Sequence, residues 1–388
     1  MAEIPEPPFI VFGAPDLHDA EIEEVVATLR SGWIGSGPRV ALFEQAFAHY
    51  KNIGKEQVAA LNSCSAALHV SMIAAGLGPG DEGLTTAITF CATVNAIMHT
   101  GAKPVLVDID PRTFNIDSAK IEERITARTR AIVPVHFAGR PCDMDELMAI
   151  AEKHDLIVIE DCAHAIETEW KGRKVGTFGA FGCFSFYVTK NVVTGEGGMV
   201  IARQAGAIDR IKILALHGMS NDAWHRFGDS GYKHYQVVEA GFKYNMTDIQ
   251  AAIGIHQLSR VEENWQRRRD AWLYYQQAFA DLPIGRPPDP TADMRHAYHL
   301  YTILIDKRRC GIDRDEFIAR MTESRIGIGV HYLSLAQHPF YQDQLQWQVS
   351  DWPEAERFGA QTVSLPLSSK LSAGELDRIA ASVRRIVT

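Results

Sequence analysis

Lys190 is the residue that most directly indicates chemistry in this 388-residue chain. It ends an aromatic stretch, Cys183–Lys190, and is followed by the glycine-rich Thr194–Gly198. Asp161, the last residue of an apolar run, precedes Lys190 by 29 positions. A lysine can form an imine with an aldehyde, and a carboxylate opposite a pyridine nitrogen keeps that nitrogen protonated. The pair therefore predicts pyridoxal phosphate chemistry, in which the ring absorbs electrons from a substrate carbanion.

A candidate phosphate site lies at Asn62–Ala66, just before a helical pattern. The free N–H groups and the dipole of a helix N-terminus favour anions at such a place. Ser63 and Ser65 could add hydroxyl donors. A serine at this position is also a common helix cap, so the sequence leaves both roles open.

Three further residues are candidates for contact with the cofactor. His164 follows Asp161 closely and could reach the phenolic oxygen, although a histidine near a core is often only hydrogen-bonded. Phe90 could stack on the pyridine ring or could be an ordinary core aromatic. Ser185, on the strand before Lys190, is expected to face the phosphate.

Other kinds of site have less support. The 15 histidines and the pair His296 and His299 suggest a metal site, but there is no His-Glu-x-x-His and no Cys-x-x-Cys, so no metal is expected. No Gly-x-Ser-x-Gly elbow stands at a strand-to-helix turn, and no Gly-x-Gly-x-x-Gly opens the chain. A net charge of −9 argues against a nucleic-acid partner.

Length and composition predict an ordinary globular protein of two domains. A chain of 388 residues exceeds the usual size of one core, and 46% of its residues are hydrophobic. The six cysteines form no disulfide framework. The stretch Met1–Pro8 is acidic and proline-rich, unlike a signal peptide, and no apolar run is long enough for a membrane span. We expect a cytoplasmic protein without a membrane partner.

The elements that position these residues alternate between strands and helices. Apolar runs at Ala102–Asp108, Ala131–His136 and Leu156–Asp161 predict strands, and Ala66–Gly76 and Asp143–Lys153 predict helices. This alternation predicts an α/β fold with a mostly parallel sheet covered on both faces. Ligands of such sheets collect beyond the carboxyl ends of the strands, where the strand ending at position 161 would place its aspartate.

The second half of the chain predicts a smaller domain. A helical pattern from Thr247 to about Phe279 is expected to be one long helix, whose second half, with Arg267–Arg269, leaves the core for the surface. Pro283–Pro290 is the linker candidate. Strand-like segments at His299–Asp306 and Gly327–His331 then indicate an α+β unit.

Taken together, the chain resembles the DegT/DnrJ/EryC1/StrS family of pyridoxal-phosphate sugar aminotransferases, from about Ile10 to the C-terminus. The segments that carry the resemblance are Ser31–Pro38, Leu61–Leu68, Val107–Asp110, Val135–Pro141, Glu160–Ala165, Phe184–Gly198, Gly241–Asp248 and Val330–Tyr332. The resemblance implies fold type I, with a large domain of residues 1–255 built on a seven-stranded sheet. A small domain of residues 256–388 follows, entered through the long helix.

The resemblance also implies a role for each site residue. Lys190 would form the imine, Asp161 would pair with the pyridinium nitrogen, and His164 would stand where many members have Gln. The implied cofactor-binding residues are Ser63, the Cys64 amide, Ser65, Phe90, Asp161, His164, Ser185 and Lys190.

Family members usually act as dimers in which a partner segment completes each site. The corresponding segment here includes Lys243 and Asn245, and this Lys-Tyr-Asn pattern departs from the commoner Asn-Tyr-Arg. The nucleotide-sugar pocket implied by the resemblance draws on Trp33, Ile34, Gly35, His217 and His331. We therefore expect a homodimer with shared active sites.

The expected reaction is transfer of the amino group of glutamate to a nucleotide-linked keto-sugar, most simply a 4-keto-6-deoxy sugar. A relative with histidine in place of the lysine is a sugar dehydratase, so the presence of Lys190 favours transamination. Alternatives are a 3-keto-sugar aminotransferase, another type I reaction such as a lyase, dehydratase or ring-forming enzyme, and a cofactor-binding regulator without turnover. The nucleotide and the sugar stereochemistry depend on pocket shape rather than on short motifs.

Overall fold

The computed structural model describes residues 7–220 and 235–388. Most of the N-terminal stretch Met1–Pro8 therefore lies outside the described residues. The strands are β1 (Val58–Leu61), β2 (Glu82–Thr86), β3 (Lys103–Val107), β4 (Thr129–Val133), β5 (Ile157–Asp161), β6 (Glu169–Trp170), β7 (Arg173–Lys174), β8 (Phe181–Ser185), β9 (Gly198–Ala202), β10 (Met294–Arg295), β11 (Tyr301–Leu304) and β12 (Thr362–Leu365).

The helices alternate with these strands in the first half of the chain and dominate the second half. They are α1 (Asp19–Ser31), α2 (Pro38–Lys51), α3 (Cys64–Ala74), α4 (Cys91–His99), α5 (Met144–Lys153), α6 (Ala207–Ala215), α7 (Asp248–Ser259), α8 (Val261–Ala278), α9 (Lys307–Cys310), α10 (Arg314–Glu323), α11 (Pro339–Leu345), α12 (Pro353–Gln361) and α13 (Ala373–Val387).

A seven-stranded sheet, in the order β1-β9-β8-β5-β4-β2-β3, forms the centre of the fold. Neighbouring strands from β8 through β5, β4 and β2 to β3 run parallel, whereas β9 is antiparallel to both β8 and β1. Buried apolar residues pack against both faces of this sheet. The predicted α/β fold with a mostly parallel seven-stranded sheet is confirmed.

The three strands predicted from apolar runs are present, β3 and β5 within their expected ranges, whereas β4 begins two residues before the expected start. One of them, β4, ends at Val133, three residues earlier than expected. Pro134 follows, and proline has no N–H with which to continue a ladder. The carboxyl end of β5 is Asp161, so the sheet presents this side chain at the edge where ligands collect.

Helices α3 and α5 confirm the predicted start and stop signals. The Ser63 side chain caps α3 by accepting from the N–H of Ala66 at 3.1 Å, and Gly76 just beyond its end has φ of +85°. The Asp143 side chain caps α5 by accepting from the N–H groups of Asp145 and Glu146. Local side-chain chemistry therefore sets these boundaries.

The expected single helix from Thr247 to Phe279 is wrong, because the structure has two helices there. Arg260 stands between α7 and α8 with φ of −103° and ψ of 7°, outside the helical range. Its guanidinium binds Glu21 of α1, which anchors the break. The interruption lets α7 pack on α1 and α2 while α8 turns toward a second core.

The expectation that α8 leaves the core for the surface is also wrong. Trp272 and Tyr275 are fully buried in a cluster with Tyr301, and Arg268 is buried as well. A buried guanidinium is tolerated here because the Glu167 carboxylate pairs with it. Helix α8 thus contributes central residues of the second hydrophobic core.

The remaining chain forms a small unit around two antiparallel strands, β11 and β12. The expected strand at Gly327–His331 contributes only a bridge between Gly329 and Ser364. The proline-rich linker candidate lies along β11, where Gly285 exchanges two backbone hydrogen bonds of 2.9 Å with Leu304. The boundary between residues 255 and 256 stays a prediction.

The cysteines and the helices were also considered in the sequence for disulfides and membrane spans. All six cysteines are free thiols. None of the described helices combines the length and apolar character needed to cross a bilayer.

Replacing Trp272 by alanine should destabilise the fold by about 3–5 kcal/mol, because a large buried aromatic side chain would leave a cavity. Leu273 is the matched control, since it is the next residue on α8 and is 42% exposed. Leu273→Ala should change the unfolding free energy by no more than about 0.5 kcal/mol. Urea unfolding followed by circular dichroism measures both, and equal losses would contradict the assignment of the α8 core face.

Candidate active site

Asp161 lies at the end of β5 with only 4% of its surface exposed. Its Oδ2 accepts a 2.8 Å hydrogen bond from the Thr93 hydroxyl, and its Oδ1 accepts one of 3.1 Å from the Ala163 N–H. Burial raises the pKa of this carboxyl, and the hydrogen bonds and Lys190 oppose the rise. The carboxylate is thus held in one orientation where a cationic partner would favour its ionised form.

Lys190 lies in a tight reversal that follows β8. Its N–H donates to the Tyr187 carbonyl at 2.8 Å, and the reversal uses Gly195 at φ of +82°. Burial of the amine lowers the pKa of Lys190 to about 8, while Cys64 and Asp161 act in the opposite direction. The lowered pKa of the Lys190 amine therefore comes from desolvation rather than from neighbouring cations.

The candidate phosphate cradle is formed where α3 meets β9. Gly198 pairs with both Leu61 of β1 and Ser185 of β8. A Cβ at Gly198 would lie 2.4 Å from the Ser63 carbonyl and 2.7 Å from the Cys64 nitrogen, so only glycine permits this approach. Ser63 is the helix cap, whereas Ser65 is exposed on the first turn of α3.

Phe90 precedes α4 and is 58% exposed, so it is not the core aromatic that the sequence left possible. Its ring centroid lies 6.1 Å from that of Tyr332. A large aromatic face left open beside buried Asp161 and a glycine-lined cradle fits a flat heteroaromatic ring with a phosphate group. The residues present therefore fit pyridoxal phosphate.

His164 is a buried, neutral imidazole. Burial and the charge of Lys190 lower its pKa well below the usual value. The Ala138 N–H donates to its Nδ1 at 3.3 Å, so Nε2 carries the hydrogen and donates to the Tyr332 hydroxyl at 3.1 Å. Both nitrogens thus have protein partners, and the expected contact with the cofactor oxygen stays a prediction.

Several polar residues around Lys190 were not predicted as site residues. Thr93 lies one helical turn after Phe90 on α4, and this spacing could have indicated a shared face. Tyr332 ends one of the segments that resemble the family, Val330–Tyr332, but no role in the site was expected for it. Asn191 and His299 are joined by a 3.0 Å hydrogen bond across 108 positions of sequence, a separation that no local pattern reveals.

His331 is the one predicted sugar-pocket residue that the structure brings near Lys190. Its Nδ1 lies 3.0 Å from the Ser364 hydroxyl, and its ring stacks on Phe12 at 5.3 Å. Burial lowers the pKa of His331 to about 4, and Lys190 contributes to the shift. The imidazole is therefore neutral and can exchange hydrogen bonds with hydroxyl groups.

The other predicted sugar-pocket residues are exposed. Trp33 and Ile34 are each 52% exposed, the Gly35 carbonyl accepts from the Asp248 N–H at 2.7 Å, and His217 is exposed at φ of +58°. Among the contacts of residues 7–220 and 235–388, none joins these four to Lys190.

The predicted crossing segment lies beside the phosphate cradle of the same chain. Asn245 pairs with Leu61, and the Lys243 carbonyl accepts from the Asn62 side chain at 3.2 Å. The Asn245 amide also donates to the Ser36 hydroxyl at 2.7 Å. Which chain's site this segment serves stays a prediction.

Potential metal ligands also meet next to Asp161, at His136, Glu160 and Cys162. The Glu160 carboxylate accepts hydrogen bonds from the His136 ring and from the N–H groups of Gly176, Phe178 and Gly179, at 2.7–3.1 Å. The His136 Nδ1 accepts from the Cys142 N–H at 3.1 Å. These lone pairs are thus occupied by protein donors that order the loop after β7.

Comparison with known proteins identifies the family. The model of the DegT/DnrJ/EryC1/StrS aminotransferase family matches residues 15–384. The spore coat polysaccharide biosynthesis protein SpsC of Bacillus subtilis is 44% identical over 380 residues, covering 98% of this chain and 97% of SpsC. The chain belongs to the DegT/DnrJ/EryC1/StrS aminotransferase family.

Solved structures agree with this membership. Spr1654 of Streptococcus pneumoniae, assigned as a sugar aminotransferase, matches in its PMP form with a TM-score of 0.90 and 34% identity, covering 98% of both chains. Its PLP form matches with a TM-score of 0.89 and 33% identity, covering 98% of this chain and all of Spr1654. PseC of Helicobacter pylori, an aminotransferase of pseudoaminic acid biosynthesis, has a TM-score of 0.89 and 27% identity, covering 98% of this chain and 99% of PseC. The protein is an aminotransferase of fold type I, and its cofactor is pyridoxal phosphate.

Replacing Gly198 by alanine should weaken cofactor binding, because the new methyl group would push the Ser63–Cys64 backbone out of the cradle. Gly78→Ala is the matched control, since a Cβ there meets no atom within 4 Å. We expect the Kd for the cofactor to rise at least about tenfold for Gly198→Ala, or about 1.4 kcal/mol, and to stay unchanged for the control. Titration of the apoprotein by absorbance measures this, and unchanged binding in both variants would exclude the cradle.

Proposed function

We propose that the protein transfers the amino group of glutamate to a nucleotide-linked keto-sugar, a 4-keto-6-deoxy sugar, for the synthesis of an amino sugar. The observation that carries the proposal is the placement of Lys190 and Asp161 in one buried pocket beside the cradle at Gly198. The relatives support the sugar: PseC belongs to pseudoaminic acid biosynthesis, and SpsC to spore coat polysaccharide biosynthesis.

The protein supplies binding and proton transfer, and bound pyridoxal phosphate supplies an electron sink that stabilises negative charge on the substrate carbon. Asp161, oriented by Thr93 and Ala163, would hold the pyridine nitrogen in its protonated form. The first turn of α3, with the hydroxyls of Ser65 and Ser185, would bind the phosphate. Phe90 would cover one face of the ring.

Lys190 is suited to move a proton at the reacting carbon. With a pKa of about 8, about a tenth of its amine is unprotonated at neutral pH, far more than for an exposed lysine, and the same group can return the proton afterwards. The amine of Lys190 is also the group that would hold pyridoxal phosphate in the pocket.

Sugar recognition is assigned to two parts of the chain. The neutral ring of His331 lies close to Lys190 and would bind a hydroxyl group of the sugar. The loop with Trp33, Ile34 and Gly35, together with His217, would contact the nucleotide. Because these four residues are exposed, the nucleotide portion of the pocket needs a covering surface.

A second copy of the chain is the proposed covering surface. Large apolar side chains are exposed along α1, the following loop and α2, namely Ile22, Leu29, Trp33, Ile34 and Leu42. An exposed apolar patch of this kind is typical of a subunit interface, and a two-fold dimer is the commonest closed assembly. The dimer would bring Lys243 or Asn245 of one subunit to the site of the other.

The defining experiment combines glutamate with a panel of nucleotide-linked keto-sugars. Formation of 2-oxoglutarate together with an amino sugar, identified by mass and NMR, is the expected result. If glutamate gives 2-oxoglutarate but no sugar in the panel is aminated, the sugar assignment is wrong. If no amino donor reacts with a protein that has bound the cofactor, the transamination itself is wrong.

Borohydride reduction of the protein with its cofactor should label Lys190 alone. Lys51 is the internal control, because burial lowers its pKa to about 7 and yet its amine donates to the carbonyls of Ile166 and Val175. Peptide mapping reads the label, and Lys190→Ala should lose it. A label on Lys51 or any other lysine would overturn the assignment of Lys190.

Mixed dimers should restore activity if the sites are shared. Chains with Lys190→Ala and chains altered at both Lys243 and Asn245 are inactive in pure form under the proposal. Hybrids of the two would contain one intact site, with Lys190 from one chain and the crossing segment from the other. Recovery of up to about half of the wild-type activity per hybrid dimer is expected, and hybrids that form without any recovery would contradict shared sites.

A further inference from the structure

A buried ion pair lies behind Lys190 and joins the two halves of the chain. Arg268 of α8 binds the carboxylate of Glu167, which follows β5 in the large sheet. Arg268 is 3% exposed and Glu167 is fully buried. Neither group was needed to explain cofactor binding or proton transfer.

The ion pair is connected to Lys190 through the next residue, Asn191. The Asn191 amide nitrogen donates to the two carboxylate oxygens of Glu167 at 3.1 and 2.9 Å and to the Ala297 carbonyl at 3.1 Å. All three partners are acceptors only, so the orientation of the amide is fixed. Its oxygen must then accept from a donor, and His299 Nδ1 lies at 3.0 Å.

The same link reaches the imidazole of His164. The His299 ring stacks on His164 with centroids 4.4 Å apart. Burial and the charge of Lys190 lower the pKa of His299 well below its usual value, so the ring is neutral and donates through Nδ1. The titratable and charged groups that share this pocket are Lys190, Asp161, Cys64, His164, His296, His299, His331, Glu167 and Arg268.

We propose that Glu167, held by Arg268, is a positioning residue that acts through Asn191 to fix Lys190 and His299 at the reacting centre. The inference rests on the proposed role of Lys190. Asn191 cannot move without breaking its bonds to Glu167, Ala297 and His299, so the backbone that carries Lys190 is tied at three points. These points belong to two segments of the chain, one at Glu167 and the other at Ala297 and His299.

A role in position explains why an ion pair is kept in this core. Burying two charges is costly, and a buried pair contributes little net stability compared with a well-packed apolar pair. A misplacement of about 1 Å, by contrast, can lower a rate about a hundredfold. The pair is therefore better explained by the geometry it imposes than by the stability it adds.

The test compares Glu167→Gln and Asn191→Ala with Glu82→Gln. Glu82 is the matched control, because its carboxylate is also buried, at 3% exposure, and binds Arg128 at 2.6 Å. It lies at the amino end of β2, away from the edge where β5 places Asp161. The first readout is the pH midpoint of the visible band of the protein–cofactor complex, measured without any sugar, so that it does not depend on the proposed substrate.

For Glu167→Gln and Asn191→Ala we expect the visible midpoint to move by at least about 0.5 pH unit. We expect kcat with the amino donor to fall about tenfold or more, with KM changed less than about threefold. Glu82→Gln should lower the melting temperature and leave midpoint and kcat unchanged. Asn191→Ala leaves the ion pair whole, so it tests the proposal even if Glu167→Gln does not fold.

A double-mutant cycle decides whether Glu167 acts through Asn191. If it does, the double variant should show nearly the same midpoint and kcat as either single variant. Additive effects on kcat, or single variants that lose only stability as Glu82→Gln does, would overturn the proposal. A shifted midpoint in variants that aminate no sugar would support the positioning role and count only against the proposed substrate.

Discussion

The rest of the site depends on burying the amine of Lys190 and the carboxylate of Asp161 in one pocket. Removal from water favours the neutral form of each, which lowers the pKa of the amine and raises that of the acid. The two groups partly counteract this by attracting each other. The fold sustains the arrangement because β5 and β8 are adjacent parallel strands, so the residues that follow them emerge at the same edge. Cys64, His164 and His331 lie around this pair.

Lys51 shows that a lowered pKa alone does not define a reactive lysine. Its amine is also buried, but it donates to two carbonyl oxygens and lies 4.2 Å above the ring of Phe184. These contacts hold the amine in a structural position between α2 and the sheet, where it is not free to react. Lys190 differs because the hydrogen bonds of its own reversal are made by the backbone, which leaves the side chain available. The partners of the amine, rather than burial, separate the two residues.

The sequence predicted those features that arise from local chemistry. The cap at Asp143 and the end of β5 at Asp161 follow from neighbouring residues, and the cap at Ser63 is one of the two roles that the sequence left open. The break at Arg260 and the burial of Arg268 were missed, because each is set by a carboxylate more than a hundred positions away in sequence. A run of arginines predicts a solvent-exposed helix face unless a partner carboxylate is known. The contacts of Tyr332 and His299 escaped prediction for the same reason.

The antiparallel direction of β9 places Lys190 in a loop between two paired strands. Because Ser185 and Gly198 are paired across β8 and β9, the chain between them is a closed loop whose two ends are fixed to each other at the ligand edge of the sheet. The reach of the lysine is therefore limited by the length of this loop, while the bonds of Asn191 to Glu167, Ala297 and His299 fix the loop from outside. Insertion or deletion of a single residue between positions 186 and 197 should therefore displace the amine. The number of residues in this loop is therefore more strictly constrained than the identity of most of its side chains.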